Sequence, residues 1–218
     1  MEINPADIEV AERYKLLIGT VVPRPIAWVS TVSADGRANL APFSFFNGVG
    51  SNPMSVLFCP ANDPEGNEKD TLRNAKPTNE GGTGEFVVNI ADEPLIRQVA
   101  ASAEVLPYGE SEFDLVGVTR APSVSVTPPR VGECPVAFEC QTVQVIRTNG
   151  REPLGGNIVI GRVTHVFVRD DLLDGRYRTD QEKLSAVGRM GGLRYCFTRE
   201  QFELPPNRSA LDVPGPAS

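Results

Sequence analysis

Histidine is nearly missing from this chain. His165 is the single one among 218 residues, and the four cysteines, Cys59, Cys134, Cys140 and Cys196, are scattered with no CxxC pair. A zinc centre of Cys/His type needs ligands in spaced pairs, so no metal site is expected and the thiols read as small buried hydrophobes. No run reaches the roughly 18 apolar residues of a membrane span, and no basic segment followed by an apolar stretch opens the sequence. A soluble, cytoplasmic protein is the expectation. Lys and Arg number 21 against 28 Asp and Glu, a formal charge of −7. That shortage of cations argues against unspecific attraction to nucleic acid or anionic lipid, although one or two basic side chains can still hold a small anion. GxGxxG is absent, and without GxSxG nothing presents a serine nucleophile to His165.

Glycine and proline, in contrast, are plentiful at 20 and 19. They favour short strands and turns over long helices. The length suits one domain that buries roughly 70% of its unfolded surface. We assign residues 1–204 to that domain and 205–218 to a Pro-rich tail, disordered or docked.

Apolar periodicity predicts helices over 5–18 (with Val10, Tyr14, Leu17 and Ile18 on one face and Gly19 as the stop), 67–76, 93–105 and 181–187. Strands are expected over 25–33, 38–43, 54–59, 85–91, 136–147 and 157–169, with Asp35-Gly36 turning the first hairpin. Residues 107–133 are irregular and Pro-rich, an excursion that covers something. Six or seven strands without a repeated βαβ unit point to a mainly β fold, an antiparallel barrel with a few short helices.

Three stretches carry chemistry. In VSTVSADGRANLAPFSFF, Ser30, Thr31, Asn39 and Ser44 put hydroxyls and an amide on neighbouring strands, while Pro42 removes a backbone donor and marks an edge. An opened ladder leaves backbone groups free for a planar ligand, with Phe43, Phe45 and Phe46 as apolar walls. The alternative is a kinked strand that plugs the core with phenylalanine. Lys69, Asp70 and Thr71 open a helix, which suits an anion or simply a solvated helix start. GRMGGLRY sets Arg189 and Arg194 around Gly191-Gly192, either for close approach to a ligand or as a tight turn. His165, mid-strand, is either structural or a contact for a nicotinamide carboxamide.

PRPIAWVSTVSADGRANLAPFSFFNGVGSNP, followed in order by KDTLRN, EFVVNIA, YGESEFD, CPVAFEC, IVIGRVTHVFV and GRMGGLRY, resembles the flavin reductase-like family over about residues 8–200. The resemblance implies an FMN-binding split barrel of six antiparallel Greek-key strands, a homodimer, and FMN near its interface. Ser30 and Thr31 would then flank the cofactor. Asn39, Leu40, Ala41, Pro42, Phe43 and Ser44 would meet the ring through backbone groups, and Lys69, Asp70 and Thr71 would hold the phosphate. Trp28, Phe45 and Phe46 would be aromatic neighbours, with Arg189 and Tyr195 acting across the interface and His165 touching nicotinamide. The implied activity passes hydride from NADH or NADPH to bound flavin, then on to free flavin, oxygen, a monooxygenase or an electron-transfer protein. Two rivals stay open: a non-enzymatic FMN-binding protein or flavoredoxin-type electron carrier, and a barrel with no cofactor.

Overall fold

The computed structural model describes residues 1–107 and 110–213; Tyr108 and Gly109 of the YGESEFD segment, and positions 214–218 of the expected tail, lie outside the described residues. The first hairpin joins β1 (Ala27–Val32) to β2 (Ala38–Phe43), in register from Ala27↔Phe43 to Val32↔Ala38. Its turn closes through Ser33 and Arg37, with Gly36 at φ +85°, where a side chain would be strained. β3 (Phe46–Ser51) and β4 (Met54–Phe58) form a second hairpin, followed by β5 (Glu85–Ile90), β8 (Val136–Arg147) and β9 (Asn157–Val168). All pairings are antiparallel, in the order β2-β1-β5-β8-β9-β4-β3.

That order explains the curl. β2 and β3 are the two edges, yet only Ser44 and Phe45 separate them in sequence. Three Cα steps span at most about 11 Å, so the sheet rolls until its edges meet at this corner. The sheet has seven strands where the resemblance implies six. The extra one is β3, whose FNGVGS carries two glycines and little β signal but pairs with β4 along its length, with a bulge at Val49. Bulges at Thr164 of β9 and at Val143 of β8 bend this long hairpin around the roll. Gly161 is needed on β9, because a Cβ there would lie 2.3 Å from the Phe86 ring.

Apolar side chains pack on both faces of the sheet. Inside, Ala27, Val29, Phe43, Phe58, Phe86 and Val88 form one cluster, with Phe58 5.2 Å from Phe43 and 5.1 Å from Phe86. Outside, Trp28 and Leu40 pack against Leu95, Val99 and Phe113. Each large buried side chain contributes roughly 1.5–3 kcal/mol. The outer cluster lies under α3 (Ile96–Ala101) and α4 (Glu112–Val116); α3 is shorter than expected and is preceded by a 3-10 turn, Glu93–Leu95.

The excursion contains α4 and the small ladder of β6 (Arg120–Ala121) and β7 (Arg130–Val131). It is strapped to the outer face through polar bonds. Ser30 Oγ donates to Pro129 O at 2.5 Å, Thr127 N donates to Glu85 at 2.8 Å, and Val131 N donates to Asn89 at 2.8 Å.

Helix α1 (Val10–Thr20) follows a separate 3-10 turn at Pro5–Asp7, starts at a Glu9/Glu12 capping box and runs through Gly19. Of its expected buried face only Ile18 is covered; Val10, Tyr14 and Leu17 are exposed. α2 (Asp70–Ala75) and α5 (Gln181–Leu184) are single short turns. GRMGGLRY is a hairpin of β10 (Val187–Arg189) and β11 (Tyr195–Phe197), and an exposed 3-10 turn, Asn207–Asp212, ends the described chain.

Candidate functional site

Folding brings three of the expected site residues to one place. Asn39 Nδ2 donates to Thr71 Oγ1 at 2.9 Å and to Thr31 Oγ1 at 3.4 Å, and Asn74 Nδ2 donates to Thr31 Oγ1 at 3.0 Å. The cluster joins β1, β2 and α2. Thr31 and Thr71 are buried, so they orient the half-buried Asn39, whose carbonyl oxygen stays available. Beside them Lys69 is exposed and has no partner among the described residues. Its neighbouring carboxylates are already neutralised: Asp70 by Arg73, and Glu68 by Lys76 at 2.7 Å and Arg147 at 2.8 Å. With six residues α2 offers little macrodipole, and the anion-binding capacity lies in the Lys69 ammonium.

Other expected residues sit elsewhere, for identifiable reasons. Trp28 is wholly buried in the outer cluster and its indole donates to Ser102 Oγ at 2.8 Å, so it is a core residue and not a wall of a slot. Leu40 fills the same cluster, while Phe43 plugs the inner one. Ser30 is wholly buried and spends its hydroxyl on the strap. The edge of β2 is also less open than Pro42 suggests. Ser111 Oγ donates to Ala38 O at 2.7 Å, and Leu40 N donates to Glu112 at 2.9 Å. Burial pushes the Glu112 carboxyl upward, against the Leu40 amide that holds it down. Ala41, Pro42, Ser44, Phe45 and Phe46 remain half-exposed along this edge and corner.

His165 is not brought to the cluster within one chain. Ser30, Val87, Glu139 and His165 lie in one row across β1, β5, β8 and β9. Three strand spacings, about 14 Å, separate its ends.

Arg24, at the head of the quoted motif, went unassigned in the sequence, though RP before a strand was its only signal. It is 4% exposed and has no carboxylate partner among the described residues. Nη1 donates to Ile18 O at 2.7 Å and Val21 O at 2.6 Å, Nη2 to Met190 O at 3.0 Å, and Nε to Ser44 Oγ at 3.3 Å. The guanidinium also lies 5.7 Å from the Phe45 ring centre. One side chain therefore ties α1, the β10–β11 hairpin and the β2–β3 corner together. Burial, and then Arg189 nearby, lower its pKa against the pull of Tyr14. Arg189 exchanges backbone bonds with Arg24, donates to Gly192 O at 2.6 Å and stacks 4.4 Å over Tyr195.

Two cavities stand apart from the Asn39 cradle. One, about 930 Å³, lies between α3 and Phe197; the other, about 440 Å³, lies between α1 and the Met190–Arg194 turn. No group of three or more His, Cys, Asp or Glu among the described residues is placed to hold a metal ion. No helix among them is long and apolar enough to cross a membrane.

Residues 18–183 match the family model of the flavin reductase like domain. The chain belongs to the flavin reductase-like family. Component B of nitrilotriacetate monooxygenase from Bacillus cereus is similar over 94% of this chain and 98% of its own, at 35% identity and TM-score 0.86. The 2-nitrobenzoate 2-nitroreductase of Pseudomonas fluorescens follows at 27% identity and TM-score 0.82, covering 95% and 97%. A split-barrel-domain protein of Shewanella frigidimarina shares the fold at 20% identity and TM-score 0.79, covering 95% and 100%. The rolled antiparallel sheet of this flavin reductase-like chain is thus the split barrel. A flavin cofactor and oxidoreductase chemistry belong to the family.

Proposed function

We propose that this chain is an FMN-dependent oxidoreductase that draws hydride from NADH or NADPH and delivers electrons to free flavin or another acceptor, a monooxygenase among them. The observation that carries the reading is the assembly along one edge of the sheet. Asn39, the unpaired Lys69 and the half-exposed Ser44–Phe45 corner follow β2 from end to end. Six extended residues cover about 20 Å, long enough for a flavin mononucleotide laid along them. The donor set fits that ligand. Lys69 meets the phosphate, and Asn39 offers its carbonyl oxygen to the ribityl hydroxyls. Pro42 and Ser44 line the ring with backbone oxygen and hydroxyl, and Phe45 covers an apolar face. When bound, the flavin supplies hydride and electron transfer; the chain supplies position, orientation and exclusion of water.

A homodimer is part of the proposal. The cradle is open on one side, since Asn39, Pro42, Ser44 and Phe45 are half-exposed and Lys69 is exposed. Meanwhile the edge strand β3 exposes Val49, with Met54 and Val143 also bare. A second copy would cover that apolar surface and close the cradle.

The test is an absorption spectrum of the purified protein, then oxidation of NADH and NADPH with and without added FMN. Flavin bands and turnover with either nucleotide are expected. Flavin bands with slow nicotinamide reduction but rapid reduction by a protein donor would instead identify an electron carrier, and a colourless protein that FMN fails to stabilise would end the reading.

A further inference from the structure

The 440 Å³ cavity is lined by Lys15, Ile18, Gly19 and Val22 of α1 and its C-terminal exit, and by Met190, Gly191, Gly192 and Arg194 of the hairpin turn. None of these carries a negative charge. Neither Lys15 nor Arg194 makes an ion pair or a side-chain hydrogen bond among the described residues, and both are exposed at the rim. Arg24 lies directly behind the wall, because its guanidinium bonds the carbonyls of Ile18 and Met190, two of the lining residues. Its positive charge is balanced only by neutral oxygens. Arg189 adds a fourth cation next to it.

This concentration of unpaired positive charge stands out in a chain of net charge −7. A buried cation without a counter-ion is costly unless an anion approaches it. The floor is shaped for such an approach. Gly191 packs on the helix so tightly that a Cβ would stand 3.3 Å from Gly19 Cα, and Gly192 turns at φ +61°. Nothing lies within 4 Å of a Cβ built on Gly19 or Gly192, so the floor beside these two glycines is open. On its far side, Arg24 holds Ser44 and faces Phe45, the corner assigned above to the flavin ring.

We propose that the cleft rimmed by Lys15 and Arg194, with Arg24 behind its wall, is a second anion site, distinct from the Asn39–Lys69 cradle, that takes a phosphoryl group of the nicotinamide nucleotide donor. The choice of donor rests on the oxidoreductase reading; the anion site does not. From this cleft the rest of a dinucleotide reaches toward Phe45, with Arg24 as the positioning residue between the two sites.

The decisive experiment is calorimetric titration of the purified protein, with FMN added, by ADP and by 2′,5′-ADP at low salt. Wild type is to be compared with the double variant Lys15→Gln/Arg194→Gln. Saturable binding is expected, weakened about tenfold or more in the double variant and by added sodium chloride, while Tm and FMN affinity stay unchanged. Tighter binding of 2′,5′-ADP assigns the cleft to a 2′-phosphate, and equal binding to the pyrophosphate. No nucleotide binding by wild type, or equal binding by wild type and double variant, overturns the site. A fall in FMN affinity with ADP binding unmoved also overturns it, since the cations would then serve the flavin. Failure of the oxidoreductase reading looks different: neither nucleotide turns over, yet ADP still binds and still depends on Lys15 and Arg194.

Discussion

Among the described residues Arg24 and Glu139 are the two nearly buried charges, and neither is held by a salt bridge. Each clasps an irregular segment to the barrel, but their surroundings differ. Glu139 receives Val124 N at 2.9 Å, Ser125 N at 2.6 Å and Ser125 Oγ at 2.8 Å, all from the strap that covers it, with His165 opposite in register. Its site is complete. Arg24 gathers carbonyls from α1, its C-terminal exit and the β10–β11 turn, and bonds the Ser44 hydroxyl at the β2–β3 corner, beside a cavity and three further cations. The anion is satisfied by its own cover, whereas the cation is satisfied only as hydrogen bonding goes and keeps a net charge to offer. Buried charge at the first position is architecture; at the second it is architecture and recognition together.

The contrast can be broken by substitution. Arg24→Met strands the carbonyls of Ile18, Val21 and Met190 and should cost about 3 kcal/mol or more. Urea unfolding measures this, and FMN affinity should fall with it as the Ser44–Phe45 corner loosens. Arg24→Lys should recover part of both, because an ammonium can serve two of the carbonyls. A variant as stable as wild type would mean that the three elements hold together without their common clasp.

Glu139→Gln should cost about 2 kcal/mol without changing FMN affinity, because the strap lies on the outer face. Its pH dependence sharpens the point. Burial alone would raise the Glu139 carboxyl, but the Val124 and Ser125 amides, the Ser125 hydroxyl and His165 outweigh it and hold the folded value below the ordinary one. The stabilisation is therefore complete above about pH 4.3, the ordinary glutamate value in an unfolded chain. It is lost as pH falls through the lower folded value. Urea midpoints followed downward from about pH 6 should drop more steeply in wild type than in the variant; parallel curves would remove Glu139 from the account.

Lys69→Ala tests the cradle by itself. It should weaken FMN binding about tenfold while Tm stays in place, since the side chain is exposed and unpaired. Smallest of all, Glu85→Gln should cost about 1 kcal/mol, having one strap amide, Thr127 N, to lose. Thermal unfolding reads that change.

Much of the barrel was legible in residue order. The hairpin around Asp35-Gly36, the strand at 38–43 and the two long strands β8 and β9 stand almost where alternation put them. β3 escaped because glycine at two of six positions hides a pairing that only its partner strand reveals. The exposed face of α1 misled for a related reason: periodicity reports that a face is apolar, not whether this chain covers it. Among the candidate site residues, Asn39, Thr71 and Lys69 could be singled out in the sequence because hydroxyls, an amide and a cation near a strand edge suit a phosphorylated ligand, and folding sets Asn39 against Thr71. For Trp28 and Phe43 the slot and the core could not be told apart, because an aromatic that lines a slot and one that fills a core look alike in one dimension.

The sequence by itself determined an antiparallel, turn-rich fold and the kinds of polar group at its first hairpin, because alternation and turn chemistry act between near neighbours. Only the tertiary structure decided which phenylalanines went inside, that Ser111 and Glu112 would cap the β2 edge, and that Arg24 would meet carbonyls more than 160 positions away as well as close by. Those outcomes depend on how the sheet rolls, and rolling is set by contacts between residues far apart in the chain.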